Sequence, residues 1–315
     1  MAAVEREAIA VGGARRGRLH ALVDEEKWLG PLLIGPAVLY IVLLVGFPFF
    51  LALYYSLSNI TVGNRNPEFV GLQHFVSVVG TTSFQTALKN TFIITFASQA
   101  AVIVLANILA TALEKDFKGK WIVRCLILLP WVAPISIGSI GWLWILDSIY
   151  SVINWTLVAF GLVNRFAQPM WLGVPHLALG SIVMINVWRQ LPLATVILMA
   201  GLSSIPRDIH DAAAVDGAGF WRRLFQIRVP LVLPIMIVAV LFGVVFTFTD
   251  MIVVFLVTRG GPYDATQVLA NLAFFTGIQG GDLGEGAAIA LFLLPVLVVV
   301  AIGMLRLARR SEVGA

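Results

Sequence analysis

Residues 203–219 read Ser203-Ser204-Ile205-Pro206-Arg207-Asp208-Ile209-His210-Asp211-Ala212-Ala213-Ala214-Val215-Asp216-Gly217-Ala218-Gly219, a polar interruption between two long apolar runs. Pro206 suits the first turn of a helix, where its missing amide costs nothing, and Asp208 and Asp211 sit close to the positive end of that helix. Ala212 to Ala214 continue it with the best helix former and the smallest side chains. Gly217 and Gly219 then permit a sharp turn. The stretch predicts a short helix with a bare, closely approachable surface. After it, Phe220, Trp221, Leu224, Phe225 and Ile227 cover an arc of roughly 160° at 100° per residue, with Arg222, Arg223 and Gln226 opposite. That pattern predicts a second helix in a membrane interface, which Pro230 and Pro234 stop before the next apolar run.

Outward from this loop the chain is apolar almost throughout. Hydrophobic residues make up 59% and charged residues 12% of the 315, with a mean hydropathy of +0.94, too little charge for a water-exposed globular surface. Runs of transmembrane length predict six spans: 31–57, 90–113, 121–146, 176–200, 231–257 and 286–305. The expected class is an all-α integral membrane protein, with a tail at 1–30, a transmembrane domain at 31–310 containing the loop 201–230, and a short tail at 311–315. An even count puts both termini on one side, and Lys and Arg decide which. The tail (Arg6, Arg15, Arg16, Arg18, Lys27), the stretch Lys115, Lys118, Lys120 and Arg124, the 204–230 loop and the C-terminal Arg306, Arg309 and Arg310 share one side. Only Arg65, Lys89, Arg165 and Arg259 fall opposite. That asymmetry predicts cytoplasmic termini and leaves Arg189 alone within a span. No cleavable leader pattern precedes the first span.

Several chemistries have nothing to stand on. The single Cys125 forms neither an intrachain disulfide nor a thiolate cluster. His20, His74, His176 and His210 are scattered and make no paired metal motif. No G-x-x-x-x-G-K phosphate loop and no G-x-S-x-G nucleophile turn occurs, so neither nucleotide hydrolysis nor acyl transfer is expected on this chain. The net charge of +4 follows from membrane topology rather than from nucleic-acid binding.

The resemblance that these residues carry is specific. Asp211-Ala212-Ala213, Gly217 and Ile227-x-Val229-Pro230 resemble the EAA loop of binding-protein-dependent ABC importer permeases, whose pattern is an acid, two alanines, three residues, glycine, nine residues and I-x-L-P. Asp replaces Glu and Val replaces Leu, with the spacing intact. Phe69-Val70-Gly71-Leu72-Gln73-His74-Phe75 resembles an external F-x-G-L-x-N-F segment, with His74 in place of Asn. Thr258-Arg259-Gly260-Gly261-Pro262 through Thr266 resembles T-x-G-G-P-x-x-x-T of the carbohydrate-uptake branch, of maltose or sn-glycerol-3-phosphate type.

The resemblance implies a type I importer permease (MetI-like) fold in a bacterial cytoplasmic membrane, with Asp211, Ala212, Ala213, Gly217, Ile227 and Pro230 coupling the chain to a separate ATPase. It implies two ATP-binding subunits that carry ATP and Mg, a second permease subunit and an extracytoplasmic solute-binding protein. No cofactor and no enzymatic activity are expected on this chain itself. A sugar-like solute is the leading expectation; a polyamine, phosphate or other small polar solute, or a gradient-driven transporter, are the alternatives.

Ionisable groups within spans cost ~2.5–3.5 kcal/mol or more at the centre and point to function or to structural pairing. Asn186, Arg189, Gln190, Thr247, Thr249 and Asp250 are candidates for a hydrated substrate path, with Trp142, Trp144 and Trp188 as possible stacking faces. Helix-to-helix bonding and interfacial anchoring are the competing readings. Counted from the inner ends, Arg189 and Asp250 stand at heights of about 16 and 28 Å, which separates them by about 12 Å and argues against a direct ion pair in upright helices. Pro130, Pro134, Pro192 and Pro295 predict breaks that suit either a moving pathway or tolerated kinks.

Overall fold

The structure, a computed structural model, describes residues 26–64 and 67–313. Residues 1–25 of the expected tail, with Arg6, Arg15, Arg16 and Arg18, as well as Arg65, lie outside the described residues, whereas 26–30, expected as tail, already belong to the first helix. The chain forms two compact units, one through Tyr55 and one from Ser56 onward. In the first unit a helix runs from Glu26 through a π turn at Val42–Gly46 and on into the segment Phe47–Ser56. Its large apolar side chains, Leu32 to Phe50, face outward, as expected of a span whose surroundings are lipid or other apolar chains.

In the second unit the long apolar helices are Thr82–Glu114, Pro175–Ser203, Phe220–Phe248 and Leu283–Arg309, spans two, four, five and six. Span three is bent. Its two halves, Lys120–Val132 and Ile135–Ile145, meet at 96°. Pro130 sits inside the first half without breaking it, whereas Ala133, at φ −65° and ψ 139°, is extended, the conformation a following proline favours. By length and composition there are therefore five full helices and one bent pair, which agrees with the six predicted stretches but changes the third from a rod into an elbow.

Span five departs from expectation in two ways. The helix predicted to lie apart in the interface is continuous with it: Phe220–Arg223 passes through a π turn at Leu224–Arg228 into Val229–Phe248. The amide of Val229 bonds the carbonyl of Leu224, so the ladder changes register one residue before Pro230 and absorbs the missing donor instead of ending there. At the other end the helix stops at Phe248 and resumes as Ile252–Val257, leaving Asp250 in the break.

Three apolar clusters fill the second unit, one of them joining Val78, Phe84, Ala87, Leu269 and Ile289, and the other two lie along the spans. One, toward the end that carries residues 258–268 (the far end), joins Ile94, Leu146, Ile182, Ile185, Val253 and Val257. The other, toward the end that carries residues 204–219 (the near end), joins Val102, Ala106, Ala194, Leu198, Ile205 and Val232. On spans two, four and five the polar residues Gln99, Arg189, Gln190, Thr247 and Asp250 lie between these clusters in sequence. A polar layer thus divides the core at the level where span five breaks.

The far end is closed by Glu68–Phe69 paired antiparallel with Ser58–Asn59, by the helix Gln73–Val79 and by the helical stretch Leu269–Gln279. His74 Nε2 lies 3.3 Å from Ser58 O, which ties the external motif to the strand pair. Gly277 and Gly286 bring two backbones together: a Cβ on Gly286 would meet Gly277 N at 2.7 Å and Ala273 O at 2.9 Å. Backbone atoms cannot give way as a flexible side chain can. Gly286→Ala is expected to destabilise the protein by about 1–3 kcal/mol through overpacking, seen as a lowered melting temperature in detergent. Gly303→Ala, where nothing lies within 4 Å, should leave that temperature unchanged, and equal behaviour of the two variants would refute the close crossing.

Candidate functional site

The near-end loop is built as its composition requires. Arg207–Val215 is a helix, and it ends in a Schellman arrangement: Ala218 N donates to Ala213 O at 2.9 Å and Gly217 N to Ala214 O at 3.1 Å. Gly217 adopts φ +69°, the left-handed conformation this cap needs and side chains resist. Gly219 at φ −68° is extended and makes no such demand. Ala213 and Ala218 are buried, and Ile209 packs on the near-end cluster. Asp208, Asp211, Ala212 and Val215 are exposed, spaced i, i+3, i+4 and i+7 on one face. Val215 is 88% exposed. Of the two motif alanines, then, Ala212 faces outward while Ala213 seats the helix on its own bundle. Ile227 is half-buried in the π turn and Pro230 is exposed just beyond it.

The polar layer brings together most of the residues expected there. Arg189 Nη1 lies 2.8 Å from Asp250 Oδ2, with the side chains 19% and 7% exposed. This corrects the expected 12 Å separation. That separation counted both helices as upright rods from boundaries the structure moves, since span four continues to Ser203 and span five is helical from Phe220; residue counts from the inner ends therefore do not measure relative height once helices tilt and bend. The other Asp250 oxygen accepts from Ile252 N at 2.9 Å, so one carboxylate both neutralises span four and starts the helix beyond the break.

Beside the pair, Gln99 Nε2 donates to Gln190 Oε1 at 2.9 Å and to Thr247 Oγ1 at 3.0 Å. Gln190 Nε2 also donates to Thr247 at 2.7 Å, and Thr247 donates to Gly243 O at 2.8 Å. A Cβ at Gly243 would collide with the Gln99 amide. Gln99 escapes the sequence reading: it is one of three amide side chains in the stretch 90–113, with Asn90 and Asn107, and nothing local marks it out. A cavity of about 10 Å³, room for one water, opens here among Gln99, Gln190, Trp131, Leu193 and Phe246.

Two expected members stand apart from this network. Asn186 donates to Ile182 O at 3.0 Å, and its Oδ1 is buried and meets no donor among the described residues. Thr249 is exposed and bonds Val245 O in its own helix, as span threonines commonly do. The tryptophans are packed or outward rather than gathered at a path. Trp142 and Trp188 meet edge to face at 5.6 Å, Trp188 lies on Gly138, and Trp144 is 72% exposed.

At the far end the spacing of Thr258 and Thr266 has a physical basis. Their hydroxyls lie 2.7 Å apart, and Thr266 also donates to Gly261 O at 2.8 Å. Asn90 donates to the carbonyls of Asp264 and Ala265 and fastens the loop to span two.

With these geometries established, the profile of the family described as "Binding-protein-dependent transport system inner membrane component" matches residues 102–313. The chain belongs to this family. The permease is 30% identical over 284 residues to the trehalose/maltose transport system permease protein MalF of Thermococcus litoralis, with 90% of this chain and 95% of that protein covered. It is 30% identical to the sn-glycerol-3-phosphate transport system permease protein UgpA of Shigella flexneri, covering 88% and 94%. Its fold matches that in the crystal structure of a bacterial alginate ABC transporter in complex with an alginate pentasaccharide-bound periplasmic protein. The TM-score is 0.78 at 19% identity, over 91% of this chain and 96% of that one. The permease is a multi-pass membrane component of a transport system rather than an enzyme, as its family membership establishes.

Proposed function

We propose that the permease forms part of the translocation path of an ABC importer for a sugar or sugar-like solute, with its 206–230 loop docked on a separate ATPase that supplies ATP and Mg. The observation that carries the coupling half of this reading is the capped helix Arg207–Val215, which presents Asp211, Ala212 and Val215 outward at a fixed elbow. Small and apolar residues on that face suit entry into a groove, and Asp211, with Asp208 beside it, offers negative charge to it. Gly217 sets the elbow's angle, while Ile227 and Pro230 join it to span five. The sugar half is supported by relatives named for maltose and glycerol phosphate transport.

Asn186, Arg189, Gln190, Thr247, Thr249 and Asp250 remain the proposed path residues, in unequal positions. Gln190 borders the small cavity with Trp131 and Phe246, and amides beside aromatic faces are groups that bind sugar hydroxyls and ring faces. Two ATP-binding subunits, a second permease chain and an extracytoplasmic solute-binding protein complete the assembly. Residues 1–30 and 311–315 are cytoplasmic tails of the domain 31–310, with lipid around it.

The test is to purify the permease from its native membrane under mild conditions, identify what accompanies it, and reconstitute the assembly in proteoliposomes. An accompanying ATPase, together with ATP-dependent accumulation of labelled maltose, trehalose or glycerol 3-phosphate, is expected. Accumulation of putrescine or phosphate instead would overturn the sugar assignment, and uptake without any ATPase would overturn the coupling.

A further inference from the structure

Three cations converge on the near end of span two. Lys120 Nζ donates to Glu114 O at 3.0 Å, Arg124 Nη2 donates to Leu113 O at 3.3 Å, and Arg228 Nη1 lies 3.2 Å from Glu114 Oε2. The last carbonyls of a helix have no amide partner within it and carry the negative end of its dipole. Cations there satisfy the carbonyls and neutralise the end at once. Lys120 and Arg124 come from the helix that follows directly in sequence, so their contact is local. Arg228 arrives from the far side of the 204–219 loop.

Its position is specific. Arg228 closes the π turn Leu224–Arg228, and the extra residue in that turn offsets the trailing helix from the rest of span five by about 100°, one helical position. The pair is half-buried, with side-chain exposures of 22% for Arg228 and 31% for Glu114. The Nε of Arg228 is itself buried and meets no acceptor among the described residues. The guanidinium is thus enclosed between the trailing helix and span two, with the Glu114 carboxylate as its anionic contact. A half-buried pair that solvent still reaches adds little to stability. At a junction between two moving elements its value is mechanical.

We propose that Arg228 is a positioning residue for coupled transport: through Glu114 it clamps span two to the 204–230 loop, so that a displacement of the loop carries the near ends of spans two and three with it. The proposal rests on the coupling reading given above. Nothing else in the motif needs a cation at the x of Ile227-x-Val229-Pro230, and the clamp gives that position a task.

The test uses the full assembly in nanodiscs, in a Cys125→Ser background. Nitroxide labels at Ala112→Cys and Arg222→Cys report the distance between span two and the trailing helix, without nucleotide and after trapping with ATP and vanadate. The unaltered pair should hold one distance in both states. In Arg228→Gln or Glu114→Gln the distance should change between states by about 1–2 Å or more, the scale of helix shifts in switching proteins. The charge swap Glu114→Arg with Arg228→Glu should restore the single distance, which a merely structural role for either residue would not do.

A distance that changes with ATP even with the pair intact, single variants that keep the distance constant, or a swap that fails to restore it would each overturn the clamp. A second label pair, Arg222→Cys with Tyr263→Cys, keeps the two readings apart. If ATP and vanadate leave that pair unmoved, the coupling reading has failed; if it moves while the first pair ignores Arg228→Gln, the clamp alone has failed.

Discussion

Gly217→Val is expected to separate ATP hydrolysis from uptake: solute accumulation falls roughly tenfold while ATPase activity persists and the permease remains inserted. The size follows from the backbone. Gly217 sits at φ +69° with nothing within 4 Å of its missing Cβ, so the cost is conformational rather than steric. A β-branched residue forced into the left-handed region costs about 1–2 kcal/mol, and 1.4 kcal/mol is tenfold in a population. The ratio of loops that hold the Schellman turn, which sets the angle of Arg207–Val215, to loops that do not would therefore fall by about tenfold. Asparagine tolerates that region far better, so Gly217→Asn should retain most of the uptake. The measurement is the ratio of ATP hydrolysed to solute moved in proteoliposomes. A valine variant with the original ratio would show that the elbow's geometry is irrelevant to docking.

Arg189→Ala carries the largest expected loss of stability. It leaves Asp250, 7% exposed, without its countercharge, and breaking one side of a buried pair costs about 3–5 kcal/mol. The start of helix Ile252–Val257 depends on the same carboxylate, so the damage should reach the far end. Asp250→Asn keeps a carbonyl oxygen for the Ile252 amide and removes the unpaired charge, so Arg189→Ala with Asp250→Asn should recover most of the loss. A double-mutant cycle in melting temperature checks this. Additive losses would mean that the two residues do not act as a pair, whereas a stable Arg189→Ala protein with altered uptake would mean that Arg189 serves the substrate path rather than the fold.

The sequence made much of this architecture readable, for physical reasons that also mark its limits. Apolar length reports a span directly, because lipid leaves the backbone no other option, and all six stretches correspond to helices or a bent pair. The 206–219 segment was readable because proline, alanine and glycine act locally, and the cap at Gly217 needs no distant partner. Direction was not readable. Pro130 and Pro134 look alike in sequence, but only at the second does the preceding residue, Ala133, leave the helix. The Arg189–Asp250 pair was missed because counting residues treats helices as upright rods that end where hydropathy fades. Gln99 escaped for a related reason: its partners, Gln190 and Thr247, lie 91 and 148 residues away, and no local pattern encodes such a meeting. Thr249, two residues beyond Thr247, looked equivalent until a rotation of about 200° along the helix placed it outside the network.

The right angle in span three bears on the membrane itself. Its two legs hold 13 and 11 residues, about 20 and 16 Å at 1.5 Å each, and neither alone crosses a hydrocarbon layer about 30 Å thick. Acyl chains beside this elbow meet a wall of uneven height, so the leaflet there must thin, or another protein surface must take its place. Bilayer thickness is therefore a variable to which this flank of the permease is exposed.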